Sequence, residues 1–329
     1  MPPHLKGCAI LRMVLRLVAT TASSAASAQY PQRPITILAG YDTGSVGDQI
    51  ARGLSDAAKT HLGQPILVVN RPGASGTLAI SEALAAKPDG YTLGLGTIGN
   101  LTVQPHRMTL PYGAPDTYVA VAKIVSYPNV VIVRAGTPWK TVQDFLNYAR
   151  VHPGAVRVGV PGEATVAHLN VEQLNRLAHV RLKAVYFNGP RQVPAALHGE
   201  IDAAVAGPGP VMAPLAAGEA VALGVFGEKR LPLMPDVPTF RELGYDITLG
   251  SAQGIVAPRG TPAAVIHALD DAIRKAVAEP SFVSLARETQ NTIDYKGSLA
   301  FATELRDSFG KNGPLLRALG LTNAPSARH

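Results

Sequence analysis

The residues that could do chemistry gather at two bends of the sequence. At the first, "LAGYDTGSVGDQIAR" (38–52), an apolar run ends at Ala39. Glycines at 40, 44 and 47, with Ser45 among them, then lead into helical spacing from about Asp48. Backbone N–H groups at a helix start lack intrahelical acceptors and the dipole is positive there, so such a bend favours an anion. Three occupants compete: a nucleotide phosphate, a catalytic intermediate, or a small anion held only for transport. A turn that needs glycines for its own geometry is the structural alternative. The second bend follows Val160, where Thr165 and His168 open another helix. His168 has no serine or cysteine partner nearby in sequence, so a structural imidazole or a ligand donor is favoured over a catalytic base.

Several chemistries are excluded by pattern. There is no G-x-x-x-x-G-K-[ST] run and hence no lysine to embrace a triphosphate. Gly94, Gly96 and Gly99 in "GLGTIG" match the dinucleotide fingerprint, which demands a helix directly afterwards. Here "NLTVQPHRMTLPYG" follows, and Pro105 and Pro111 interrupt any long helix, so NAD is rejected. Neither G-x-S-x-G nor H-E-x-x-H occurs. No cofactor or metal is expected, and no enzymatic activity. The formal charge of +7 comes without a run of five basic residues, so nucleic acid is a poor partner and acidic solutes a better one.

The elements that position these bends alternate. Ile35–Ala39, Ile66–Asn70 and Thr92–Gly96 read as buried strands, and Ile50, Leu54, Ala57, Ala58 and Leu62 form the helical stripe between the first two. Further strands are expected at Val130–Val133, Val156–Val160, Ala184–Phe187 and Ala203–Ala206, and further helices near 142–150, 166–177 and 193–197. Thr141 with Asp144 makes a capping box. Thr261 reads as the N-cap of a later helix with Pro262 in its first turn. The class is α/β, with two sheets.

The first 28 residues differ from the rest. They carry Lys6, Arg12 and Arg16, no acid, an apolar stretch near 13–19 and then Ala26-Ser27-Ala28, the order of a secretory signal cleaved before Gln29. Arg16 interrupts the apolar stretch, which a start at Met13 would repair. The single cysteine, Cys8, lies inside this segment, so the mature chain would form no disulfide.

From Tyr30 to about Leu321 the sequence resembles the periplasmic solute-binding proteins of tripartite tricarboxylate transporters, the Bug or TctC-like receptors. The resemblance rests on "YPQRPITIL", "LGQPILVVNRPGASG" (62–76), "KPDGYTLGLGT" (87–97), "YPNVVIV", "GEKRLPLMPDVPTFRELGY" (227–245) and "GIVAPRGTPAAVI" (254–266). It implies a two-lobed, type II-like binding protein with a hinge and a central cleft. Lobe I would span about 30–128 plus 252–321, and lobe II 129–251. It further implies a periplasmic monomer that delivers a small carboxylated solute to membrane transporter subunits. Carried over residue by residue, Tyr41, Thr43, Gly44, Ser45, Asp48 and Arg52 stand in the first-lobe pattern, Thr97 after the third strand, and Gly162, Thr165 and His168 in the second-lobe loop.

The sequence departs from that pattern at Gly40 and Asp42, where prolines are usual, and at Val160 and Pro161, which replace paired serines. Asp42 in an anion loop should repel a carboxylate unless it points away or pairs with a cation. It either turns outward or meets the ammonium of an amine-bearing solute while the Gly44 and Ser45 amides take the carboxylate. A non-carboxylate ligand and an enzyme on the same scaffold are the remaining alternatives.

Overall fold

The computed structural model describes residues 30–187 and 191–322; the expected signal and its cleavage site lie outside them. Short runs of apolar, often β-branched residues form strands β1 (Ile35–Ala39), β2 (Ile66–Asn70) and β3 (Thr92–Thr97). Helix α1 (Val46–Leu62) crosses from β1 to β2, which then run parallel with Ile35 beside Ile66. The expected stripe is the reason it can: Ile50, Leu54 and Ala58 are fully buried against the sheet. Three further strands, β4 (Tyr118–Tyr127), β10 (Ser251–Pro258) and β11 (Thr292–Gly297), complete a six-stranded sheet in the order β11-β4-β10-β3-β1-β2.

The second sheet takes the strands between. They are β5 (Asn129–Arg134), β6 (Arg157–Val160), β7 (Lys183–Tyr186), β8 (Ala203–Ala206) and β9 (Ala220–Phe226), in the order β7-β6-β8-β5-β9. Parallel pairs flank β6, whereas β5 runs antiparallel to both neighbours. Helices α2 (Thr77–Leu84), α3 (Val142–Val151), α4 (Val166–Ala178), α5 (Gln192–Leu197), α6 (Gly209–Ala216), α7 (Ala263–Ala276), α8 (Pro280–Glu288) and α9 (Ser298–Ala318) cover the sheets. Separate apolar cores result, one beneath α1 and α7 and others on the two faces of the second sheet.

The chain crosses between sheets twice, and the crossings touch. At Pro128 it leaves β4 for β5, and Ser251, the first residue of β10, pairs with Tyr127. Asn129 Nδ2 donates to Ser251 Oγ at 3.4 Å, binding the outgoing strand to the returning one. Two adjacent connections make an axis about which two lobes can rotate.

The Thr141 capping box forms as read: its hydroxyl accepts from the Asp144 amide at 3.1 Å and the Asp144 carboxylate from the Thr141 amide at 3.0 Å. Thr261 does not cap α7. Its hydroxyl donates to the Pro258 carbonyl at 2.8 Å, so it closes the preceding turn, and Pro262 takes the N-cap position with no side-chain bond.

Candidate functional site

A cleft of roughly 740 Å³, part of it open to solvent, lies where the two sheets face each other. Its first wall is the start of α1. Ser45 caps the helix, its hydroxyl accepting from the Asp48 amide at 3.3 Å. The Asp48 carboxylate reaches back to accept from the Gly44 amide at 2.9 Å, and the Ser45 amide donates to the Asp42 carbonyl at 3.1 Å. Both amides that the sequence reading offered to a carboxylate, those of Gly44 and Ser45, are therefore engaged within the protein. The first two helical amides, of Val46 and Gly47, have no intrahelical acceptor, and both residues line the cleft.

Asp48 holds this bend rigid from behind. It is 2% exposed and accepts from Arg52 Nε and Asn70 Nδ2, each at 3.0 Å. Burial by itself would raise its pKa. The Arg52 hydrogen bond, with those from Gly44 and Asn70, outweighs burial and holds the carboxyl below its ordinary range.

The second wall follows β3. Asn100 Oδ1 accepts from the Thr97 amide at 2.8 Å, and Thr97 Oγ1 accepts from the Asn100 amide at 3.2 Å. This pairing tightens a short helical turn over Gly99–Val103, and Thr97, Ile98 and Gly99 all face the cleft.

The third wall belongs to the other sheet. Thr165 caps α4, accepting from the His168 amide at 3.4 Å while its hydroxyl donates to the Gly162 carbonyl at 2.9 Å. The amides of Val166 and Ala167 open α4 toward the cleft. His168, 1% exposed, accepts from the Ala164 amide through Nδ1 at 2.9 Å. That nitrogen therefore carries no proton, and Nε2 faces Glu172 Oε1 at 3.5 Å and the Tyr186 hydroxyl at 3.4 Å. Ala164 sits at φ 50, a left-handed conformation that the imidazole bond helps to hold. His168 is a brace for the loop and does not line the cleft.

No charged side chain lines this cleft among the described residues. Tyr41 stands over it as a neutral phenol, because burial pushes its pKa up to about 12. Tyr127 closes the hinge side, its pKa also raised by burial despite the hydrogen bonds from Gln253 and Ser251 that lower it.

Of the residues named from sequence, Tyr41, Ser45, Thr97 and Thr165 meet in the cleft. Asp42 falls in a smaller neighbouring pocket with Pro72, Gly73 and Ser75. Thr43 and Gly44 are exposed and line neither, Gly162 backs onto Ser75, and Asp48 and His168 lie behind their loops. Val46, Gly47, Gly99, Tyr127, Gln192 and Gln253 line the cleft although the sequence does not single them out as ligand contacts. The helix-start rule could have found the first two, since the free amides lie after the N-cap.

This architecture, two α/β lobes on a double crossing with a cleft between them, is that of a periplasmic binding protein. The chain matches the tripartite tricarboxylate transporter family receptor, TctC, over residues 50–321. A UPF0065 protein in the gbd 5' region of Cupriavidus necator is 32% identical over 319 residues, covering 97% of each chain. A R. palustris protein with adipate superimposes with a TM-score of 0.84 at 25% identity, over 89% of this chain and 99% of that one. MatC of Rhodopseudomonas palustris with bound malate gives 0.81 at 27% identity, over 87% and 100%. The chain belongs to the TctC family of solute-binding receptors.

Proposed function

We propose that this protein is a periplasmic receptor that encloses a small carboxylated solute between its lobes and presents it to the membrane subunits of a tripartite tricarboxylate-type transporter. The observation that carries this reading is the convergence of two helix starts, at Val46 and Val166, on a cleft that no ionised side chain lines among the described residues. Partial positive charge from unpaired amides can hold an anion there without a cation. Neighbours of the same fold hold adipate and malate, both dicarboxylates, which supports the same class here.

Export through removal of residues 1–28, action as a monomer, and closure of lobe I (30–128 plus 252–321) onto lobe II (129–251) belong to this proposal. No helix among the described residues is long and apolar enough to cross a membrane. An amine-selecting role for Asp42 finds less support, because Asp42 stands in the side pocket. An enzyme on this scaffold would need a nucleophile and a base, and His168 is turned to a backbone amide.

A thermal-shift screen of dicarboxylates, tricarboxylates, aromatic acids, amino acids and neutral amides tests the class. An acid at a hundredfold excess over its Kd should add about 2.7 kcal/mol of apparent stability. Stabilisation by neutral or cationic solutes alone, with every acid inert, would contradict it.

A further inference from the structure

Two glutamines bring buried, unpaired amide oxygens to the cleft. Gln192 begins α5 on the second sheet's side, and Gln253 lies in β10 of the first sheet. Each is 2% exposed, each lines the cleft, and the Oε1 of each has no hydrogen-bond partner among the described residues. The Gln192 orientation is fixed, since its Nε2 donates to the Val205 carbonyl at 3.3 Å and a flipped amide would set oxygen against oxygen. At Gln253, Nε2 stands toward Gly47, within 3.6 Å of where a β-carbon on that residue would lie. The Oε1 of Gln253 is the buried side-chain atom left without a partner among the described residues.

Buried acceptors left unpaired are unfavourable, and a solute that brings donors to them is selected over one that does not. The donor should be neutral. Among the described residues no carboxylate lines the cleft, so an ammonium enclosed there would be desolvated without a counter-charge. From these two amides we infer that the receptor selects a carboxylate that also carries a hydroxyl or carboxamide donor, with Gln192 and Gln253 as the residues that read it. This rests on the carboxylate reading above and narrows it.

The test uses matched probes: malate against succinate, which differ by one hydroxyl, and adipamate against adipate, which differ by one amide. Calorimetric titration of the purified protein should give the donor-bearing member of at least one pair about tenfold tighter binding, the equivalent of one hydrogen bond. Gln192→Met and Gln253→Met should each bring that ratio below about threefold by weakening the donor-bearing acid alone. Thermal unfolding of the empty variants shows whether each is folded, and the two substitutions lie on different sheets, so one can fail without the other. Equal affinity within both pairs in the unaltered protein would overturn the inference, as would a ratio that survives both substitutions. Adipamide, with two amides and no carboxylate, separates this inference from the one beneath it. If all four acids fail while adipamide binds and loses affinity in Gln192→Met, the glutamine reading stands and the carboxylate reading falls. If all five probes fail, both fall.

Discussion

The hydroxyl of Ser75 donates to the backbone carbonyl of Glu163 at 2.9 Å, joining the loop before α2 to the loop before α4 across the rim of the cleft. The same carbonyl accepts from Gln104 Nε2 at 2.7 Å, and the Glu163 carboxylate meets Arg107 at 2.6 Å. One residue of the second lobe is thus gripped by three of the first. Ser75 adopts φ 54 between glycines 73 and 76, a left-handed conformation unfavourable for a residue with a side chain. Strain held where a hydroxyl bridges two lobes is consistent with a latch for the closed form.

Ser75→Gly separates strain from latching. Relief of the left-handed penalty should raise the stability of the empty protein by about 1 kcal/mol. Loss of the hydroxyl should meanwhile speed release of a bound dicarboxylate by roughly two- to tenfold, the worth of one hydrogen bond. Thermal unfolding and stopped-flow dissociation read the two effects. A variant that is stabilised and releases ligand at the original rate would show that the bond plays no part in closure.

Gly162→Ala should hold the lobes apart. At φ 145 a side chain is strained, and an added β-carbon would lie 2.8 Å from Ser75 Oγ, inside contact distance. Small-angle scattering with saturating ligand should show a larger radius of gyration than for the unaltered protein, with weaker binding. Equal closure and equal affinity would count against the contact.

Asp48→Asn should cost roughly 1–3 kcal/mol at neutral pH, since the Gly44 amide and Arg52 lose a charged acceptor. The folded carboxyl releases its proton more readily than the unfolded one, so between the two pKa values the unfolded state binds more protons. This contribution is therefore full above the unfolded value of about 3.9 and drains away as pH falls through the lower folded one. The stability gap between the two proteins should stay flat from pH 7 to 5 and narrow below about pH 4. A gap that narrows between pH 7 and 5 would contradict the assignment.

Asp42→Asn should change affinity by less than about threefold for plain and amine-bearing acids alike, because the side chain borders the side pocket and not the cleft. A loss of tenfold or more confined to amine-bearing acids would restore Asp42 to the site.

Much of this was legible in the sequence, for local reasons. The β1–α1–β2 unit follows from apolar runs and a 3.6-residue stripe, and both cleft-facing bends follow from N-cap residues placed after a strand. Where local rules ended, the reading thinned. β4, β10 and β11 pair across more than a hundred residues, and β10 hides a glutamine inside an apolar run. Nothing near Gln253 in sequence marks it as facing a cleft; that follows from the antiparallel pairing of β10 with β3 and β4. His168 stands out by its type, yet its partner is the amide of Ala164, four residues back, a brace that depends on how the loop folds and not on local sequence. The Gly44 amide reads as free in the sequence, which does not show the Asp48 side chain turning back to it.

The central claim is that helix-start amides from both lobes hold the solute's carboxylate. Amide chemical-shift mapping of isotope-labelled protein, titrated with whichever of malate and adipate stabilises it more, tests this most directly. The largest changes are expected at Val46 and Gly47 of α1 and at Val166 and Ala167 of α4, both pairs saturating together as one binding event. Changes confined to one lobe, or centred on the side pocket at Asp42 and Gly73 while these four amides stay still, would contradict it.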